Sequence, residues 1–306
     1  MAKAVDDIRS KIDGMDNTIH DLLMQRAELV LKIGEEKRRN NIQVVQPDRE
    51  IIMLRRLLAR HKGPLPKEAV VRIWRELVGA VSLLQTGLKV VVTVPDDPNG
   101  LTYWDMAKDY FSSVLPMNRA ANPLAALGMV REGEATFAVM PRPADGETNP
   151  WWSFLLEESG DKAMRIIARL PLGDRSQAAA NPDHQALVVA RLKFETSGDD
   201  RSFIILELEQ GISRAKIVDK IKEAGFEPRA FYTYAGAKGG TRTQHLIEVD
   251  KYIGQDDKRL AQIIEKLDPA GGRAAAVGGY PTPPVYADKV GKNAEAEAAT
   301  AAKKSA

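Results

Sequence analysis

The chain has 306 residues, 44% of them apolar, with 44 basic against 42 acidic side chains and no cysteine, an ordinary globular composition with room for two or three domains. A net charge of +2 offers no basic field for a nucleic-acid partner, and the lack of cysteine excludes disulfides, thiolate metal sites and cysteine nucleophiles, as suits a reducing cytoplasm. The start MAKAVDDIRS lacks the apolar core of a signal peptide, and no apolar run reaches the ~18 to 20 residues of a membrane span, so a cytoplasmic location with no membrane partner is expected.

The first stretch, from about Val5 to Lys37, is helical in pattern. Val5, Ile8, Ile12, Met15, Ile19 and Leu22 step by three and four residues along one face. At about 100° per residue, Arg26 and Lys37 fall near the centre of the stripe that Leu29, Val30 and Ile33 continue, and Arg9 falls on its shoulder. Cations on a buried face need anionic partners or must let their stems snorkel to water; two on one face favour an anion site in a helical core. Such a helix is about 50 Å long at 1.5 Å per residue, longer than a small domain is wide, which predicts that it lies against a second copy as a homodimer or against another domain.

Pro47 suits the first position of a second helix, with Asp48 and Glu50 placed favourably in its first turn and Ile51, Leu54, Leu57 and Leu58 on its apolar face. A third helix runs from about Pro66 to Gln85, its face formed by Val70, Ile73, Trp74, Leu77, Val81 and Leu84. Gln85 lies within about 20° of Trp74 on a helical wheel; its amide either meets a buried polar partner or curls to solvent at the helix end.

Over residues 1–87 the runs IRSKIDGMDNTIHDLLMQRAELVLKIGEEK, DRE at 48–50 and IWRELVGAVSLLQ together resemble the all-helical class of chorismate mutases, in residue type and in the gaps between motifs. The resemblance implies an intertwined dimer of three-helix subunits acting on a small dianionic substrate, with no cofactor and no metal. It implies that Arg26 and Arg9 hold the two substrate carboxylates, Arg9 reaching into the partner's site. Lys37 and Gln85 would hydrogen-bond the ether oxygen, Arg49 would support a carboxylate, and Glu50 would meet the substrate hydroxyl. Glu50 facing Lys37 is equally well a plain salt bridge on the residues alone. Two positions depart from the family: Gln46 stands where an aspartate is frequent, and Val81 where a serine is frequent, with Ser82 adjacent.

Beyond Gly87 the period changes. LKVVVTVP (88–95) reads as a buried strand, followed by the turn PDDPNG, a helix over 101–111, a helix over 123–132 and strands at 135–141, 164–172 and 184–192, which is an α/β lobe. LAALGMVREGEATFAVMPRP and ALVVARL resemble parts of a prephenate dehydratase domain, although the middle is about half the family's length. Gln185, Ala186 and Leu187 occupy the place of its Thr-Arg-Phe motif, so no dehydratase activity is expected. Residues 202–268 read as βαββα with a further strand near 274–277, an order that suits a ferredoxin-like domain. QGISRAKIVDKIKEAGFE resembles an ACT regulatory domain. In the dehydratases that domain senses phenylalanine; here only Gly211 of one effector motif is present, and Tyr232, Thr233, Tyr234 and Ala235 replace the other, so an aromatic amino acid is a possible effector and a purely dimerising role an equal alternative.

AGAKGGT (235–241) lacks the spacing of a phosphate loop, and His20, His61, His184 and His245 lack metal-ligand spacing. Trp151 and Trp152 read as core or lid residues of a short helix. The expected organisation is multidomain, α plus α/β: a helical mutase domain (1–87), an α/β lobe (88–198), a ferredoxin-like ACT-type domain (199–282) and a disordered, low-complexity tail (283–306). The expected activity is chorismate to prephenate rearrangement. Alternatives are a non-catalytic sensor of an aromatic metabolite and a lyase acting on isochorismate.

Overall fold

A computed structural model describes residues 2–95, 100–157, 160, 163–173, 185–236 and 240–284. The expected tail lies outside the described residues but for its first two positions, as do His184, most of the PDDPNG turn and the centre of AGAKGGT.

Three helices open the chain: α1 (Ala2–Arg39), α2 (Pro47–Arg60) and α3 (Lys67–Thr86). Helix α1 is 38 residues long. It ends where Lys37, Arg38 and Arg39 complement the helix dipole and Asn41 takes a left-handed φ of 54°, with the Ile42 N–H closing on Lys37 O at 2.8 Å. Gly87, at φ 63°, caps α3 in the same manner, its N–H bonded to Leu83 O. The stripe from Val5 to Leu22 is uncovered within one chain, each member between 46% and 64% exposed, so the folded subunit leaves the helix's apolar face to be covered by something else.

Helix α3 packs on helix α4 (Gly100–Phe111), the first helix of the following lobe. Arg72 pairs with Asp109 at 2.5 Å, the Ser112 and Ser113 hydroxyls donate to Glu76 at 2.8 and 2.9 Å, and Gly79 lies flat against Phe111 O.

Among the described residues the strands form one mixed sheet of nine, in the order β2-β1-β3-β5-β4-β9-β6-β8-β7. Its first half contains β1 (Val90–Thr93), β2 (Met117–Ala120), β3 (Phe137–Pro141), β4 (Arg165–Leu170) and β5 (Ala186–Ala190). Strand β1 is parallel to β2 and β3, and β5 is antiparallel to β3 and β4. Helix α4 covers one face, and α5 (Pro123–Glu132), capped by the Asn122 side chain, packs on the other. Its second half is β6 (Asp200–Glu209), α6 (Arg214–Glu223), β7 (Pro228–Tyr234), β8 (Arg242–Val249), α7 (Lys258–Leu267) and β9 (Arg273–Pro281), a βαββαβ unit with antiparallel strands and both helices on one face. This is ferredoxin-like topology. The halves join where Ile166 of β4 runs parallel to Gly278 of β9; a Cβ on Gly278 would sit 2.1 Å from Ile166 O, so only glycine lets the strands meet. The opposite face of the sheet is a single core shared by both halves, in which Trp151, Trp152, Met140, Leu187, Phe203 and Tyr280 are buried. Trp151 and Trp152, on a short 3-10 helix (Trp151–Leu156), are therefore core residues.

Candidate functional site

The C-terminal third of α1 meets α3 and the 40–46 connection, and of the sequence candidates Lys37, Gln46 and Gln85 come together there. Lys37 is half-buried, and its ammonium donates to Gln46 Oε1 at 2.7 Å and Val44 O at 2.9 Å. Gln46 thus engages the lysine through its neutral amide oxygen. The Gln85 amide enters between the helices, its Nε2 donating to Val30 O, while Arg38 Nη1 donates to Gln85 O at 2.9 Å. The close approach depends on Gly34: a Cβ there would lie 2.7 Å from Gln85 Nε2. Gly34 was not singled out from the sequence, although a glycine inside a long helix costs about 1 kcal/mol relative to alanine and so calls for a reason.

Arg26 is half-buried and Arg49 exposed, and neither has an ion-pair partner among the described residues. Burial draws the Arg26 guanidinium below its ordinary value. Lys37 is also drawn down, first by burial and then by the Arg49 cation nearby, with Asp48, Glu50 and Glu195 acting in the opposite direction. Burial pushes the Asp48 carboxyl up. Lys37, Arg26 and Arg49 form no ion pair within the chain among the described residues, so their donors can be turned to an anionic guest.

Glu50 is not bonded to Lys37. Its carboxylate pairs at 2.6 Å with Arg75, which is fully enclosed and also donates Nε to Tyr110 O at 2.6 Å while stacking 4.1 Å above the Tyr110 ring. Burial alone would draw Arg75 down, but Glu50 and Tyr110 outweigh it and hold the guanidinium above its usual range. The plain salt bridge weighed from the sequence is therefore formed with a different cation, at the contact with the lobe. Val81 is buried on α3, and the neighbouring Ser82 lines a small cavity beside Val45 and Gly79. Arg9 stands far up α1, exposed and 3.5 Å from Asp6; a single chain does not bring it to Lys37.

In the sheet region, Gln185 accepts from Arg142 at 2.5 Å, and Ala186 and Leu187 are wholly buried in β5. Gly211, at φ 94°, turns the chain between β6 and α6, and Tyr232, Thr233 and Tyr234 lie on the edge strand β7. Among the described residues no cluster of His, Asp or Glu has metal-binding geometry.

Residues 8–86 match the family model described as chorismate mutase type II. A bifunctional chorismate mutase/prephenate dehydratase of Aquifex aeolicus is 36% identical over 93 residues, 29% of this chain and 26% of that protein. The protein of the same description from Stutzerimonas stutzeri is 27% identical over 187 residues, 56% of this chain and 49% of that protein. These matches span no more than about half the length of the relatives. Among solved structures, prephenate dehydratase from Staphylococcus aureus aligns over 63% of this chain and 100% of its own, at 9% identity and a TM-score of 0.46. The three-helix segment of this chain is a chorismate mutase type II domain, followed by a mixed-sheet α/β region.

Proposed function

We propose that the chain is a homodimeric chorismate mutase of aromatic amino-acid biosynthesis in the cytoplasm. The observation that carries this reading is that Lys37 is held by the Gln46 amide oxygen and a backbone carbonyl and not by a carboxylate, with the Gln85 amide seated against α1 at Gly34 and Arg26 half-buried on the same helix. Converting chorismate to prephenate breaks a C–O bond as a C–C bond forms within one molecule, so it needs neither a nucleophile nor a cofactor. What it needs is a flexible dianion held in its reactive conformer, and donors aimed at the ether oxygen as negative charge grows there. Arg26 and Arg49 would take carboxylates, and Lys37 and Gln85 the ether oxygen. Arg9 would arrive from the second subunit, because its own chain keeps it remote. The uncovered α1 stripe supports the dimer: fully burying each such side chain is worth about 1.5 to 3 kcal/mol.

The sheet region has no dehydratase chemistry in this reading, since Ala186 and Leu187 are core and Gln185 is tied to Arg142. The βαββαβ unit would act as an ACT-type regulatory domain for an aromatic amino acid. Purified full-length protein should remove the chorismate absorbance with prephenate as product and should sediment as a dimer. No turnover at high enzyme concentration would overturn the mutase reading, and turnover of isochorismate alone would replace it with the lyase.

A further inference from the structure

A lysine ammonium has three N–H donors, and the connection between α1 and α2 takes two of those on Lys37, at Val44 O (2.9 Å) and at Gln46 Oε1 (2.7 Å). The placing of 44–46 therefore sets the direction in which the third donor points. Little within the helical segment holds that stretch. The Ile42 N–H closes on Lys37 O and the Glu50 N–H on Gln46 O, but among the described residues the backbone of 43–45 makes no hydrogen bond to other backbone.

Its anchor lies 150 residues further along the chain, in the connection from β5 to β6. The Lys193 N–H donates to Gln43 Oε1 at 2.7 Å and Gln43 Nε2 donates to Lys193 O at 3.3 Å, so the side-chain amide pairs with one backbone residue as a neighbouring strand would. The same Nε2 donates to Val45 O at 2.7 Å, which ties the amide to the residue between Val44 and Gln46. Val45 adds a second grip, its side chain packing on the lobe core that contains Leu88 and Phe137. Attachment of the helical segment to the lobe does not depend on Gln43. Arg55 of α2 donates to Ser197 O, Ser197 Oγ, Asp199 O and Thr282 O at 2.8 to 3.2 Å, and the buried Glu50–Arg75 pair closes the seam elsewhere.

We infer that Gln43 is a positioning residue of the site at the end of α1: its amide, clamped on the Lys193 backbone, places the 44–46 acceptors that orient the Lys37 ammonium, so that the lobe sets the aim of a donor belonging to the helical segment. All three contacts of the amide are to backbone, so it acts through geometry and brings no charge to the site. The orientation of Lys37 stands on these contacts alone; the effect on turnover rests on the mutase reading.

The test takes full-length Gln43→Ala, Gln46→Ala and the double variant through chorismate kinetics, urea unfolding and acetic anhydride labelling, with the exposed Lys32 of the same helix as internal standard. Gln43→Ala should lower kcat roughly 10- to 100-fold, the cost of a small misplacement of a reacting group. KM for chorismate should stay within about twofold, as for an interaction made only in the transition state. The urea midpoint should stay at the wild-type value, because Arg55 and Arg75 keep the seam closed. Lys37, its two acceptors loosened, should be acetylated severalfold faster relative to Lys32 than in the wild type. The double variant should be no slower than the slower single one, since both act through the same contact. Turnover or Lys37 labelling at the wild-type value in Gln43→Ala would each overturn the inference. So would losses that multiply in the double variant, or a fall in kcat matched by a fall in the urea midpoint, the mark of a merely structural contact. A wild-type chain without turnover would refute the mutase reading alone, and the labelling would then decide the placing of Lys37 by itself.

Discussion

In the sheet region, Arg142 reaches Tyr232 at 3.2 Å, Gln185 at 2.5 Å and Glu248 at 2.5 Å, and Glu248, with no exposed surface, also accepts from the Tyr280 hydroxyl and Arg201. In the helical segment, Arg26 lies half-buried with no carboxylate bonded to it, and Lys37 spends its protons on a neutral amide and a backbone carbonyl. Both regions bury cations on apolar surroundings, but one supplies the counter-charge from its own chain and the other does not. A satisfied buried pair fixes how strands and helices sit; an unsatisfied set is poised for a charged guest. Arg75 extends the first pattern to the seam, where Glu50 neutralises it against the lobe.

The contrast is broken most forcefully by Glu248→Ala. Removing the carboxylate leaves Arg142 and Arg201 facing each other in an enclosed space, and breaking a buried pair typically costs about 3 to 5 kcal/mol. Urea unfolding should show a loss of that size while KM for chorismate holds; a loss under about 1 kcal/mol would mean that the network is not what holds the halves of the sheet together.

Lys37→Ala should do the reverse. Loss of a preorganised donor at the ether oxygen typically lowers kcat by about 10² to 10³. Stability should stay near wild type, because water can serve Val44 O and Gln46 in a half-exposed site. A variant that keeps its turnover would remove Lys37 from the chemistry, and one that unfolds would make it structural.

Much of this contrast was legible beforehand in the helices, where apolar spacing placed Arg26 and Lys37 on one face and bounded α2 and α3 closely. The sheet was legible strand by strand but not as a whole. The four residues of β2 include exposed Asn118 and Arg119, which carry no strand pattern. Strand β9 extends through Gly278 and Gly279 to Pro281, beyond the expected 274–277. The two halves join through a single paired position, Ile166 with Gly278, and periodicity carries no information on that. The partner of Glu50 was hidden for a similar reason: its cation, Arg75, sits 25 residues away on α3, and sequence places the nearer Lys37 no less plausibly. Whether the α1 stripe has a partner is equally beyond periodicity, which marks an apolar face and not what lies on it.

His245 sharpens the comparison by pH. It lies on β8, its ring nitrogen 3.2 Å from the Thr233 hydroxyl, and burial lowers its pKa to about 4. The folded state therefore holds the ring neutral where the unfolded chain, near 6.5, takes up a proton. Stability from this group is complete above the unfolded value and is lost as pH falls toward 4. At about 1.4 kcal/mol per unit, the loss at pH 5 is about 2 kcal/mol. Unfolding curves at pH 7 and pH 5 should differ by that much, and His245→Asn should flatten the difference; an unchanged slope would assign it to carboxylates elsewhere.

The finest distinction comes from two glycines at contacts of α3, Gly79 within it and Gly34 on α1 against Gln85. At Gly79 an added Cβ would come within 2.0 Å of Phe111 O, backbone that cannot yield, so Gly79→Ala should destabilise the seam between α3 and α4. At Gly34 the added Cβ meets Gln85 Nε2 at 2.7 Å, Cδ at 3.0 Å and Cγ at 3.2 Å, the far end of a side chain that can swing away. Helix α1 meanwhile gains about 1 kcal/mol of propensity on exchanging glycine for alanine. Gly34→Ala should therefore leave stability unchanged or slightly raised while displacing the Gln85 amide, with kcat/KM for chorismate lower by about tenfold, or about 1.4 kcal/mol of barrier. Stability lost with turnover kept would place Gln85 among the packing residues, and the end of α1 would then hold its amide for the same reason that the sheet holds Gln185.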